Sequence, residues 1–142
     1  MHHFTRALYA VLASIAMLVA SFGVLAQDHA DTAVISIYRV APGKHLEFLK
    51  WMAAREATAK EAGIGATQWY RHLDGDSWDY IAIAPDTDEA MDDKSDAMAK
   101  KHGMAVGMKA GFELRALMAS HTDTLVAGPT TAAAMVQKAS EP

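Results

Sequence analysis

Cysteine is missing from all 142 residues of the chain. That absence removes disulfide staples, thiol catalysis, thiolate metal sites and iron–sulfur clusters in one step. Positive charge is also scarce, with 13 Lys and Arg against 17 Asp and Glu and a formal charge of −4. A general nucleic-acid role needs a basic face to neutralise phosphates, and this balance does not supply one. The glycine run HGMAVGMKAG over residues 102–111 lacks the strand context and spacing of a dinucleotide or phosphate loop. No G-x-S-x-G nucleophile elbow occurs. The acidic residues Asp86, Asp88, Glu89, Asp92, Asp93 and Asp96 do not fit a calcium loop, and they read as a solvated helix face.

One long uncharged run is present, from Ala7 to Ala26. It follows the weakly basic head His2, His3 and Arg6. It has a strongly apolar centre at Val11, Leu12, Ile15, Met17, Leu18 and Val19, and ends in Val24, Leu25 and Ala26. A small residue at the cut and polar Gln27 after it fit a cleavable secretory signal peptide over residues 1–26. A retained membrane anchor is the competing reading, because the run approaches the length of a spanning helix. With the leader removed, the chain is expected in the periplasm or outside the cell, without a membrane segment. The part from Gln27 keeps all 17 acidic side chains and 12 of the 13 basic ones, for a formal charge of −5. One small domain is expected, closed by packing or by a partner subunit because no disulfide can help.

After a short lead at 27–31, Thr32–Val40 reads as a strand, and Pro42-Gly43 ends it. A helix is predicted from about Lys44 to Ala62, its apolar stripe formed by Leu46, Leu49, Ala53 and Ala57 and widened by Phe48 and Met52. Glu56 precedes Lys60 by four residues, the favourable order for a helix-surface ion pair. Ile64–Leu73 and Ser77–Ala84 are predicted strands joined at Asp74-Gly75-Asp76, and so an antiparallel hairpin. A helix beginning in the acidic stretch runs to about Lys101, Gly103, Gly107 and Gly111 mark a broken helix or a close turn, and Phe112–Met118 is helical again. Ser120–Ala127 reads as a fourth strand, and 128–142 as a loose, flexible tail or a frayed helix.

This order predicts an α+β, ferredoxin-like split β-α-β domain over 32–127 with a four-stranded antiparallel sheet. Two helices cover one face of such a sheet, yet the first and third strands are apolar on both sides. A second copy of the chain is the simplest cover for the other face. On VISIYRVAPGKHLEFLKWM and ATQWYRHLDGDSWDYIAIA the chain resembles the dimeric alpha+beta barrel superfamily, especially its small antibiotic-biosynthesis-monooxygenase-like members. The resemblance implies a homodimer with a space between sheet and helices. It implies either a cofactor-independent monooxygenase acting on an aromatic or quinone-like molecule, or a non-catalytic binder of haem or another apolar ligand. No bound cofactor is expected on the first reading, and no metal.

Four aromatics, Trp69, Tyr70, Trp78 and Tyr80, crowd the hairpin and are the candidate ligand-binding residues. Cross-strand packing or a dimer interface is the alternative use for them. His72 lies between the two aromatic pairs and can serve as a base or as a haem ligand, or simply face solvent at the strand end. His121 and Asp123 lie two apart on a strand and so share a face, where the carboxylate can orient the imidazole. Tyr38 and Ser36 share a face of the first strand with Val34 and Val40. Tyr38, His72, His121 and Asp123 are therefore the candidate proton-transfer residues.

Overall fold

The structure is a computed structural model that describes residues 32–141. The expected leader at 1–26 and the lead at 27–31 lie outside the described residues. The elements run β1 (Thr32–Val40), α1 (His45–Glu61), β2 (Gln68–Arg71), β3 (Tyr80–Pro85), α2 (Glu89–Lys101), α3 (Gly107–Leu117), β4 (Met118–Ala127) and α4 (Ala132–Ala139). The four strands form one sheet in the order β2-β3-β1-β4, with every neighbouring pair antiparallel. This is the ferredoxin-like α+β fold, with the first and third strands central. Among the described residues, no helix is long and apolar enough to cross a membrane.

Local chemistry sets the element ends. Pro42 and Gly43 turn the chain out of β1, closed by the Lys44 N–H donating to the Ala41 carbonyl at 2.9 Å. The Asp88 carboxylate accepts from the Met91 N–H at 2.8 Å and so caps α2. The C-terminus of α1 is closed by backbone alone. The Gly63 N–H donates to Lys60 and the Ile64 N–H to Ala59, with Gly63 at φ +88°. These are the two bonds of a Schellman cap. The cap draws Ile64 into the helix end, so β2 begins at Gln68 rather than at the predicted Ile64. The expected start of β3 at Ser77 also moves, to Tyr80. Asp79 is diverted there: its N–H donates to the Tyr38 carbonyl and its carboxylate accepts from the Val40 N–H at 2.7 Å. That bond satisfies a donor beside the irregularity at Arg39/Val40 in the β1–β4 pairing. At the other end of the chain, a regular helix, α4, stands where a loose tail or frayed helix is expected, capped by Thr131 accepting from the Ala134 N–H.

The buried face of α1 differs from the expected stripe. Leu46 is 65% exposed and Leu49 39%, while Phe48 is fully buried and Met52 nearly so. Ala53 and Ala57 are exposed as well. A phenyl ring and a long thioether remove more apolar area from water than alanines do, so Phe48 and Met52 decide which side of α1 meets the sheet. Phe48 stacks on Tyr80 with centroids 5.7 Å apart and tilts against Tyr38 at 5.1 Å. Val40, Ala82 and Met118 complete the core, with Trp51, Trp69, Leu114 and Leu117 packed against it.

The other sheet face carries Ile35, Ile37, Ile81, Ile83 and Tyr70 in two adjoining cross-strand rows. Ile37 is 39% exposed although strands flank it on both sides, and Tyr70 is 51% exposed. The predicted two-sided apolar character of the central strands is therefore present. Among the described residues, only the helix-side face has a cover of helices.

Truncating Phe48 empties the centre of that cover. Phe48→Ala is expected to cost about 3–5 kcal/mol of folding stability, read as a lowered midpoint in urea unfolding.

Candidate functional site

Between α1 and the helix-side face of the sheet lies a cavity of about 630 Å³. Its floor is the sheet: Ser36 and Tyr38 from β1, Ala82 and Ala84 from β3, and Trp69 from β2. Cross-strand pairing explains the grouping. Trp69, Ala82, Ser36 and Asp123 form one row across all four strands, and Arg71, Tyr80, Tyr38 and His121 form the next. Ala82 has only a methyl group, so the Trp69 indole reaches across it and stacks on Tyr38 at 5.9 Å. The roof is the inner side of α1, with Met52, Arg55, Glu56, Ala59 and Lys60. The Schellman cap and the segment after it supply an end wall of Ile64, Gly65, Ala66 and Thr67. A Cβ on Gly65 would stand 3.1 Å from the Pro85 side chain, so only glycine lets this wall close against β3 without displacement.

Polar groups in the cavity are held in specific ways. The Glu56 carboxylate accepts from the Trp69 indole N–H at 2.5 Å, which fixes the plane of that ring. Arg55 donates to the Ala105 carbonyl and lies over the Trp51 ring at 4.7 Å. Burial pushes the Tyr38 phenol above the ordinary tyrosine value; Ser36 partly offsets this and the negative charge of Asp123 adds to it. Tyr38 therefore stays a neutral hydrogen-bond donor through neutral and mildly alkaline pH.

The expected site residues separate into five places. Tyr38 and Trp69 line the cavity. His121 and Asp123 do share a face, and their side chains meet at 3.2 Å. They sit beside the cavity rather than in its wall, with the His121 ring stacked on Tyr38 at 6.1 Å. Tyr80 is committed to the core through Phe48. His72 and Trp78 pack edge to face at 5.0 Å beyond the end of β2, at the sheet edge opposite to β4. The two candidate histidines are thus not brought together. Tyr70 lies on the opposite face of the sheet from the cavity, in the row of Ile81 and Ile37. Arg55, Glu56 and Lys60 were not among the sequence candidates. Their signal was the spacing Phe48, Met52, Arg55, Ala59, one face of a helix with charge at its flank.

The sign of the Tyr38 shift gives a pH expectation. A neutral phenol favoured by folding contributes stability below the ordinary value near 10 and loses it as pH rises through the elevated folded value. In a spectrophotometric alkaline titration, one tyrosine should therefore ionise later than the rest, and Tyr38→Phe should remove that late step.

No family profile matches the chain, and no curated protein matches it. Solved structures do resemble it. SnoaB, a cofactor-independent oxygenase from Streptomyces nogalater, is 21% identical with a TM-score of 0.49, over 72% of this chain and 97% of that one. A dimeric protein of unknown function and ferredoxin-like fold from Bacteroides fragilis is 16% identical with a TM-score of 0.41, over 70% and 97%. An uncharacterised NIPSNAP domain protein from Burkholderia xenovorans is 13% identical with a TM-score of 0.46, over 71% and 96%. The ferredoxin-like α+β assignment rests on the strand order and directions of the chain itself.

Proposed function

We propose that the chain is an exported, monooxygenase-like protein that takes a planar aromatic or quinone-like molecule into the cavity and oxygenates it without a bound cofactor. The observation that carries this reading is the stacked Tyr38–Trp69 pair on the floor of a cavity of about 630 Å³. That volume suits a molecule of two or three fused rings, and the ring faces offer stacking surface. The substrate then has to supply all the electrons. A ring carbon bearing two hydrogens loses both and gains one oxygen atom, while the second atom of dioxygen leaves as water with those hydrogens. Tyr38, a neutral donor on the floor, is placed to hydrogen-bond an oxygen substituent on the ring as charge develops there. His121, stacked on Tyr38, paired with Asp123 and exposed, is a group able to exchange protons beside it.

Haem finds less support in this cavity. Among the described residues no histidine lines it, so a histidine-ligated iron would have no imidazole from them in its wall.

The second part of the proposal is a homodimer closed through the open sheet face. Ile35, Ile37, Ile81 and Ile83 form a contiguous apolar patch on central strands, and a second copy would remove it from water. Ile37→Lys places a charge at its centre. It should convert a dimer into a monomer in light scattering with an unchanged circular dichroism spectrum. A wild-type monomer, or a variant that stays dimeric, would overturn this part.

For the chemistry, a hydroxylated tricyclic aromatic ketone with one ring methylene is a suitable probe. Oxygen uptake should equal product formed, and Tyr38→Phe should lower kcat about a hundredfold with little change in KM. Binding of the probe without oxygen uptake would leave a ligand-binding protein in place of an enzyme.

A further inference from the structure

The i, i+4 pair Glu56 and Lys60 has the sequence order of a helix-surface ion pair, yet the two do not form one. Glu56 turns instead to the Trp69 indole N–H. Among the described residues, the ion pairs are Lys44–Glu47, His102–Glu61 and His121–Asp123, and none involves Lys60 or Arg55. An ammonium in the last turn of a helix commonly serves the terminal carbonyls. Here the carbonyls of Thr58, Ala59 and Lys60 already accept from the backbone N–H groups of Ala62, Ile64 and Gly63. Lys60 lines the cavity, and its ammonium forms no ion pair among the described residues.

Arg55 adds a second positive charge to the same wall. One arm of its guanidinium donates to the Ala105 carbonyl and the group lies over the Trp51 ring, neither of which neutralises it, and its buried Nε has no hydrogen-bond partner. Two basic residues thus line a cavity whose single carboxylate among the described residues, Glu56, is engaged by an indole. The remaining polar lining, Ser36, Thr67, Thr87, Ser95 and Tyr38, is uncharged hydroxyl.

We infer that the ligand of this cavity is an anionic aromatic molecule, its ring system against Trp69 and Tyr38 and its carboxylate or ionised enol oxygen on Lys60. The inference rests on the proposed binding of an aromatic molecule in this cavity and adds the charge of that molecule. Lys60 is exposed enough for its stem to follow a ligand, and the ammonium selects charge more than shape. The field of Arg55 favours the same sign of ligand over a longer range.

Calorimetric titration of the full domain with 2-naphthoate and with 2-naphthamide, a neutral analogue of similar shape, tests this. At low ionic strength the carboxylate should bind about fivefold tighter than the amide. Lys60→Gln should remove most of the difference, and Lys60→Arg should retain it. Equal affinities in the wild type, or a preference undiminished by Lys60→Gln, would overturn the inference while leaving the aromatic cavity standing. Binding of neither compound would overturn both.

Discussion

Phe48 is where the helical layer is held to the sheet. Without disulfides, a small domain depends on how much apolar surface one core can remove from water. Here that core is centred on a single ring, which touches β1 through Tyr38 and β3 through Tyr80, and meets the Trp69 ring of β2 edge-on at 6.3 Å. Because these contacts fix the rotation of α1 about its axis, they also decide which other α1 residues face inward. Met52, Arg55 and Ala59 follow Phe48 at helical spacing, and they become the cavity roof. Core and site are two stretches of one helix face. The amino-terminal half packs against the sheet, and the carboxy-terminal half stands off it.

The cavity exists because side-chain size falls where it would otherwise be filled. Ala82 and Ala84 on β3, Ser36 on β1 and Ala59 on α1 are all small. Tyr38 and Trp69 are large, but they lie as a stacked pair along the floor. Glu56 then does two things at once. It locks the indole plane, and by doing so it gives up the lysine one turn further along the helix.

Much of this was legible in the sequence, and the reasons are local. The β-branched run of β1, the Pro-Gly turn and the Asp-Gly hairpin carry their own backbone preferences, and so the element order follows from them. The shared face of His121 and Asp123 follows from strand alternation. The rest depended on partners distant in sequence. Ile64 reads as the start of a strand until the backbone bonds of the α1 cap claim it. Alanines in α1 fit an apolar stripe by period but contribute too little area to orient the helix. Glu56 and Lys60 are four apart, and nothing nearby in the chain announces that an indole 13 residues away will take the carboxylate. Trp69 and Tyr80 look equivalent in the hairpin, and only the presence of Phe48 between sheet and helix assigns one to the cavity and the other to the core.

The segment from Gly63 to Thr67 links these levels in one further respect. It terminates a helix with backbone bonds alone, and it forms the end wall of the cavity with the side chains left over. Its shape is therefore set by main-chain geometry and by the close approach of Gly65 to Pro85, while Ile64, Ala66 and Thr67 add their side chains to the wall. A fold arranged in this way can lengthen or shorten its cavity at one end without disturbing the aromatic core at the other. Variation in cavity size would then be concentrated in a few loop positions, separate from the residues that keep the domain folded.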